Sequence, residues 1–242
     1  MTDTGQDHPP AARARPAARP GWPEIIVGLI GMAVFGYGGG IVIHRLDLGP
    51  VTEGLIFTAL TGIAGLAAFA AAALLRLRSW SALGVRRVSR RWLFVGILAG
   101  LAAFAIKGLT VLAFTALTGV TGTPQDIYAA GGSGGPLSLV LATLFLTVLS
   151  PLGEEFLFRG VVTNALLKHG RLAGVLGSTV IFALMHGINV VLPAALVAGL
   201  TTAELFRRSG SVWPGFVAHA VMNLPTIPVL ALAKAAQSAS AT

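Results

Sequence analysis

Glu154-Glu155-Phe156-Leu157-Phe158-Arg159-Gly160 places two adjacent carboxylates and a guanidinium inside an apolar run spanning residues 136–168. A run of that length can cross a bilayer, for which about 20 apolar residues suffice. An ionised side chain at the bilayer centre costs roughly 2.5–3.5 kcal/mol even on insertion scales. The whole chain has nine Asp and Glu, so two of them side by side in such surroundings need an offsetting interaction. A functional site is the leading explanation.

Around this stretch the chain is uniformly apolar. Of 242 residues, 55% are hydrophobic and 11% charged, whereas soluble domains average about 25% charged; the mean hydropathy is +0.81. Further apolar segments cover 24–44, 54–75, 93–119, 172–187, 191–206 and 212–233. The expected fold is all-α, a polytopic transmembrane helical bundle of about seven or eight spans. The eighth arises if Pro151 kinks or divides the fourth segment just before the glutamate pair.

Seventeen Lys and Arg against nine acids give a formal charge of +8, but the bases are not spread as a nucleic-acid surface would require. Arg13, Arg15 and Arg19 precede the first segment, and Arg76, Arg78, Arg86, Arg87, Arg90 and Arg91 follow the second. Lys168 and Arg171 follow the fourth, and Arg207 and Arg208 the sixth. All these loops fall on one side of the membrane. The excess of bases on cytoplasmic loops predicts a multi-pass cell-membrane protein with a cytoplasmic amino terminus, partnered by lipid and not by nucleic acid.

Residues 1–20 read as a disordered cytoplasmic tail, and 21–119 as amino-terminal transmembrane helices joined through a basic cytoplasmic loop, 76–91. Segment 78–92 reads equally as a short amphipathic surface helix or as a solvated basic loop. Gly131-Gly132-Ser133-Gly134-Gly135 reads as a flexible linker on the outer side. With no cysteine, disulfide, thiolate and Cys-metal chemistry are excluded.

Residues four apart on a helix share a face, so Glu155 and Arg159 are set to pair. Glu154 lies about 100° round the same helix and faces another neighbour. Two later segments add polar groups: His186, four after Phe182, and His219, four before Asn223. Singly, each histidine reads as an interhelical hydrogen-bonding group, and the acids with Arg159 as a packing network. Together, Glu154, His186, His219 and Asn223 suit hydrolysis by an activated water, with Glu154 taking its proton while imidazole and amide stabilise the oxyanion.

Two rival chemistries fit the sequence less well. A zinc set of Glu154, His186 and His219 leaves an open position for water, but no His-Glu-x-x-His helix is present. No Gly-x-Ser-x-Gly marks a serine nucleophile, and Ser150 and Ser178 look like ordinary small membrane residues. One geometric difficulty arises from counting. At 1.5 Å per residue, His219 lies about 10 Å and His186 about 22 Å from the basic ends of their helices.

The ordered set Glu154-Glu155-x-x-x-Arg159, Phe182-x-x-x-His186 and His219-x-x-x-Asn223 resembles the CPBP family, the CAAX proteases and bacteriocin-processing enzymes that include type II CAAX prenyl endopeptidases. The resemblance covers about residues 136–230 and implies a CPBP-like catalytic transmembrane core over 136–234. It implies an intramembrane endopeptidase that is glutamate-dependent and needs no cofactor, although such enzymes are often labelled metalloproteases. Glu154 and His186 would activate water, His219 and Asn223 would form the oxyanion site, and Glu155 with Arg159 would hold the motif helix. The substrate would be a peptide or membrane protein. The alternatives are a non-catalytic immunity or scaffold protein on the same bundle, or a small transporter whose buried charges line a proton path.

Overall fold

The computed structural model describes residues 19–77, 79–121 and 126–232. Most of the expected amino-terminal tail, with Arg13 and Arg15, lies outside the described residues, as do Arg78 and residues 233–234. The helices are α1 (Trp22–His44), α2 (Pro50–Arg76), α3 (Arg90–Thr118), α4 (Asp126–Gly131), α5 (Pro136–His169), α6 (Ala173–Met185), α7 (Leu192–Ser209) and α8 (Val212–Leu232). Of these, α1, α2, α3, α5 and α8 are long and apolar enough to cross a membrane. Each of the expected apolar segments forms a helix, and the protein is an all-helical bundle.

The segment α5 is the axis of the bundle, contacting α1, α2, α6, α7 and α8. Pro151 does not divide it. A π-helical stretch, Phe145–Leu149, precedes the proline, and a second, Phe156–Thr163, follows the glutamates. Such widened turns are the local adjustment by which a membrane helix carries proline without breaking. Every residue from Phe156 to Thr163 is buried, so the acids sit where protein, rather than lipid, surrounds them.

Close helix approach explains that burial. A Cβ on Gly153 would fall against the main-chain carbonyl of Gly62 in α2, and one on Gly62 against the carbonyl of Leu149. Small residues permit this main-chain contact, as in membrane interfaces generally. In the same way Gly96 and Gly100 seat α3 on Pro214 and Ala218 of α8, and Gly199 seats α7 on Thr179 of α6. Another face of α3 turns outward, with Leu101, Leu109 and Leu112 exposed, as lipid-facing side chains are. Because main chain cannot yield as a flexible side chain can, Gly62→Val is expected to separate α2 from α5. Size-exclusion chromatography in detergent should show loss of monodisperse protein.

The basic loops gather at one end. Arg76 Nε is 2.9 Å from Glu24 Oε1, and Arg207 and Arg208 lie 2.7 and 2.6 Å from Glu204. Over residues 79–89 the chain is a tethered basic loop and not an amphipathic surface helix. Ser81–Leu83 forms one 3₁₀ turn, Leu83 is buried, and the segment is tied down by Arg86 Nε donating to the Gly210 carbonyl at 2.8 Å. The main-chain amide of Val212 donates to the Gly84 carbonyl at 3.0 Å. At the opposite end, Gly131 and Gly132 are buried rather than free linker residues, with Gly131 packed on Gly54.

Candidate active site

On α5, Glu155 and Arg159 are both fully buried (0% exposed). Arg159 Nη2 donates to Glu155 Oε1 at 3.2 Å, and Nε donates to Thr202 Oγ1 of α7 at 2.6 Å. The guanidinium lies over the Phe182 ring, 4.8 Å from its centroid, a favourable place for a cation. No room remains beside this pair, because a Cβ on Gly215 would stand 2.7 Å from Glu155 Oε2. The i to i+4 spacing is therefore a closed ion pair, anchored by a threonine that carries no motif of its own. Thr202→Val should strand the Nε donor, costing about 1–3 kcal/mol, which a lowered melting temperature in detergent would report.

Glu155 does more than hold Arg159. Its Oε1 is 3.0 Å from His219 Nδ1 on α8. An ionised carboxylate only accepts, so the network assigns the Nδ1 proton to this bond and leaves Nε2 as the open nitrogen. That nitrogen stands 3.8 Å from Glu154 Oε2. His219 thus lies between the two glutamates, a relation that no intrahelical spacing contains.

Glu154 is 5% exposed and has no arginine partner among the described residues. Ser150 Oγ, one turn before it, donates to Glu154 Oε1 at 3.0 Å. Ser150 is thus part of the site although its sequence context is ordinary. The signal available was its i to i+4 spacing to Glu154.

His186 ends α6. Gly187, at φ +84, turns the chain out of the helix in the left-handed region that glycine readily adopts, and Asn189 closes the turn by donating to the His186 carbonyl at 2.8 Å. From α1, Tyr37 donates to the Met185 carbonyl at 2.6 Å. The His186 ring folds back along its helix, with Nδ1 2.9 Å from the Phe182 carbonyl. A carbonyl only accepts, so Nδ1 is the donor and Nε2 is bare. Phe182 is the common wall, its ring 4.6 Å from that of His186 and 6.0 Å from that of His219. Asn223 Nδ2 donates to the Leu146 carbonyl at 3.3 Å, which occupies one of its two N–H groups.

Glu154, His186, His219 and Asn223 line a single cavity of about 470 Å³. Ser150, Lys107 and Tyr128 share its wall. Burial, with the Glu154 charge and Tyr37 adding to it, pushes the Tyr128 phenol up to about 12, which keeps it a neutral donor. A larger groove of about 1040 Å³ lies at the basic end beside Arg91, Arg171 and Arg208 and contains none of the candidate residues. Among the described residues no three His, Asp or Glu side chains are grouped to hold a metal ion. Both imidazoles are held through Nδ1, by the Phe182 carbonyl and by Glu155, so their Nε2 atoms are open.

The fold and its site define a multi-pass helical membrane protein with a buried glutamate and histidine centre. Residues 136–225 match the family model described as type II CAAX prenyl endopeptidase Rce1-like, the family that the motifs resemble. The match covers 136–225 of the 242 residues and is a similarity, at family level, to CAAX-protease-like intramembrane endopeptidases. No curated protein and no solved structure matches the chain.

Proposed function

We propose that the protein hydrolyses peptide bonds inside the membrane by a water molecule activated at Glu154. One observation carries the reading: Glu154 is a buried carboxylate with no arginine partner among the described residues, held by Ser150 and facing His219 Nε2 across 3.8 Å within a cavity. A carboxylate spent on an ion pair would be a poor base, and its neighbour Glu155 takes that part instead.

In this reading the water lies between Glu154 and the bare Nε2 of His186, hydrogen-bonded to both so that a lone pair is directed at the carbonyl carbon. The oxygen–carbon bond forms as a water proton passes to Glu154. The free N–H of Asn223 and the Nε2 position of His219 receive the oxyanion. With its Nδ1 proton engaged by Glu155, His219 donates from Nε2 only when the ring carries a second proton, and Glu155 orients the ring for that form as a buried carboxylate orients a catalytic imidazole. The tetrahedral species then loses its amine, the C–N bond breaks, and Glu154 returns the proton to the leaving nitrogen. Arg159, Thr202 and Phe182 act only by holding Glu155. The crowding of bases at one end supports a cytoplasmic amino terminus.

A peptide library presented to the purified protein in detergent tests the reading, with wild type, Glu154→Ala and His219→Ala compared with and without chelator. Cleavage by wild type, lost in both variants and unchanged by chelator, is expected. Cleavage that survives both substitutions would remove the site from the chemistry. Wild-type cleavage lost on chelation would favour a metal in its place.

A further inference from the structure

We propose that Lys107, on α3, binds a carboxylate of the substrate within the cavity that holds Glu154. The inference rests on the endopeptidase reading and adds a specificity element to it. Lys107 lies in the middle of an apolar span and outside residues 136–225, the region matched by the family model. A cation there is costly, yet its neighbours are all uncharged. Nζ donates to the Met222 carbonyl at 3.2 Å and to Thr226 Oγ1 at 3.5 Å, and lies 5.3 Å from the centroid of the Phe104 ring. Among the described residues no carboxylate lies within ion-pair distance of it.

Its position is the second part of the argument. Lys107 lines the same cavity as Glu154, His186, His219 and Asn223, and Met222, which it contacts, immediately precedes Asn223 on α8. An ammonium has three donors, and two are spent on neutral acceptors. The third, with the uncompensated charge, is available to the cavity. The glutamates do not supply its counter-ion: Glu155 is closed by Arg159 and His219, and Glu154 contacts Ser150 and His219. A bound carboxylate would complete the ammonium's shell in a low-dielectric site, where such charge-assisted bonds are strong. The chain terminus and an acidic side chain of the substrate share this chemistry.

Lys107 also caps the Met222 carbonyl just before α8 turns at Leu224–Pro225, so the test must separate charge from packing. Lys107→Gln keeps hydrogen-bond donors and removes the charge, and Lys107→Arg keeps the charge. Both are made in a Glu154→Gln background, so that peptides bind without being cut. Three pools of short apolar peptides compete for the purified protein in detergent: carboxyl-terminal acids, the same sequences as amides, and amides bearing one Asp or Glu. Retained peptides are read by mass spectrometry.

One carboxylate-bearing pool is expected to be retained at least about tenfold over the plain amides, the size of effect that a charge-assisted bond supplies. Which pool it is names the source of the carboxylate. The preference should vanish in Lys107→Gln and persist in Lys107→Arg. Equal retention of all pools by the protein with Lys107 intact, or no retention of any, overturns the proposal without need of a Lys107 variant. A preference that survives Lys107→Gln overturns it as well. Absence of a carboxylate preference, beside wild-type cleavage that is lost in Glu154→Ala, leaves the endopeptidase standing, whereas carboxylate preference without any such cleavage sinks the endopeptidase and leaves a carboxylate site.

Discussion

Glu154→Gln is expected to lower hydrolysis by about 10²- to 10⁴-fold, the range that a positioned general base contributes, while the protein stays folded. The substitution keeps the shape of the side chain, and an amide oxygen still accepts from Ser150 Oγ. No arginine pair is broken among the described residues, and the contact with His219 Nε2 is as long as 3.8 Å. Only the capacity to take a proton is lost. The check is a turnover assay on an identified peptide, paired with a melting curve that should lie close to the wild-type one. A matching fall in melting temperature and activity would instead mean that Glu154 is a structural member of the cluster.

Glu155→Leu should behave in the opposite way, failing first as a folded protein. Removing one partner of a buried pair leaves the other charge uncompensated, at a cost of about 3–5 kcal/mol, and Arg159 is fully enclosed. Arg159→Leu strands Glu155 equally. The double variant Glu155→Leu with Arg159→Leu replaces both charges with apolar groups and should recover much of that loss, since buried pairs often exchange for apolar residues with little penalty. It should not recover hydrolysis, because His219 Nδ1 then has no carboxylate to orient it. Melting curves and turnover for the three variants and the wild type form a double-mutant cycle. Recovery of turnover along with stability would confine Glu155 to a packing role.

The contrast between these adjacent glutamates is partly legible in the sequence. Spacing of four on one helix pairs Glu155 with Arg159, and the 100° step per residue frees Glu154 from that pair. The further tie from Glu155 to His219 is not legible there, since 64 residues separate the two and no periodicity relates side chains on different helices. Ser150 lies within reach of the same i to i+4 reasoning, but a serine in a membrane helix ordinarily bonds its own backbone, which hides its role. Thr202 and Lys107 belong to no motif, and each acquires meaning only from what packs against it.

Counting residues places the two histidines at different depths, and packing brings them to one cavity. Part of the gap closes because His186 folds back toward Phe182, in keeping with the amino-terminal tilt of helical side chains; one helical turn is about 5.4 Å.

From composition and charge alone, the chain determined a helical membrane bundle with its basic loops at one end, because apolar length and loop charge are local properties that each segment carries by itself. Local spacing likewise determined the Glu155–Arg159 pair. Only the tertiary structure decided that Glu154, His186, His219 and Asn223 share one cavity, that His219 stands between both glutamates, and that Lys107 joins them. Those relations are distances between helices, and they depend on how closely main chains approach at a few glycines.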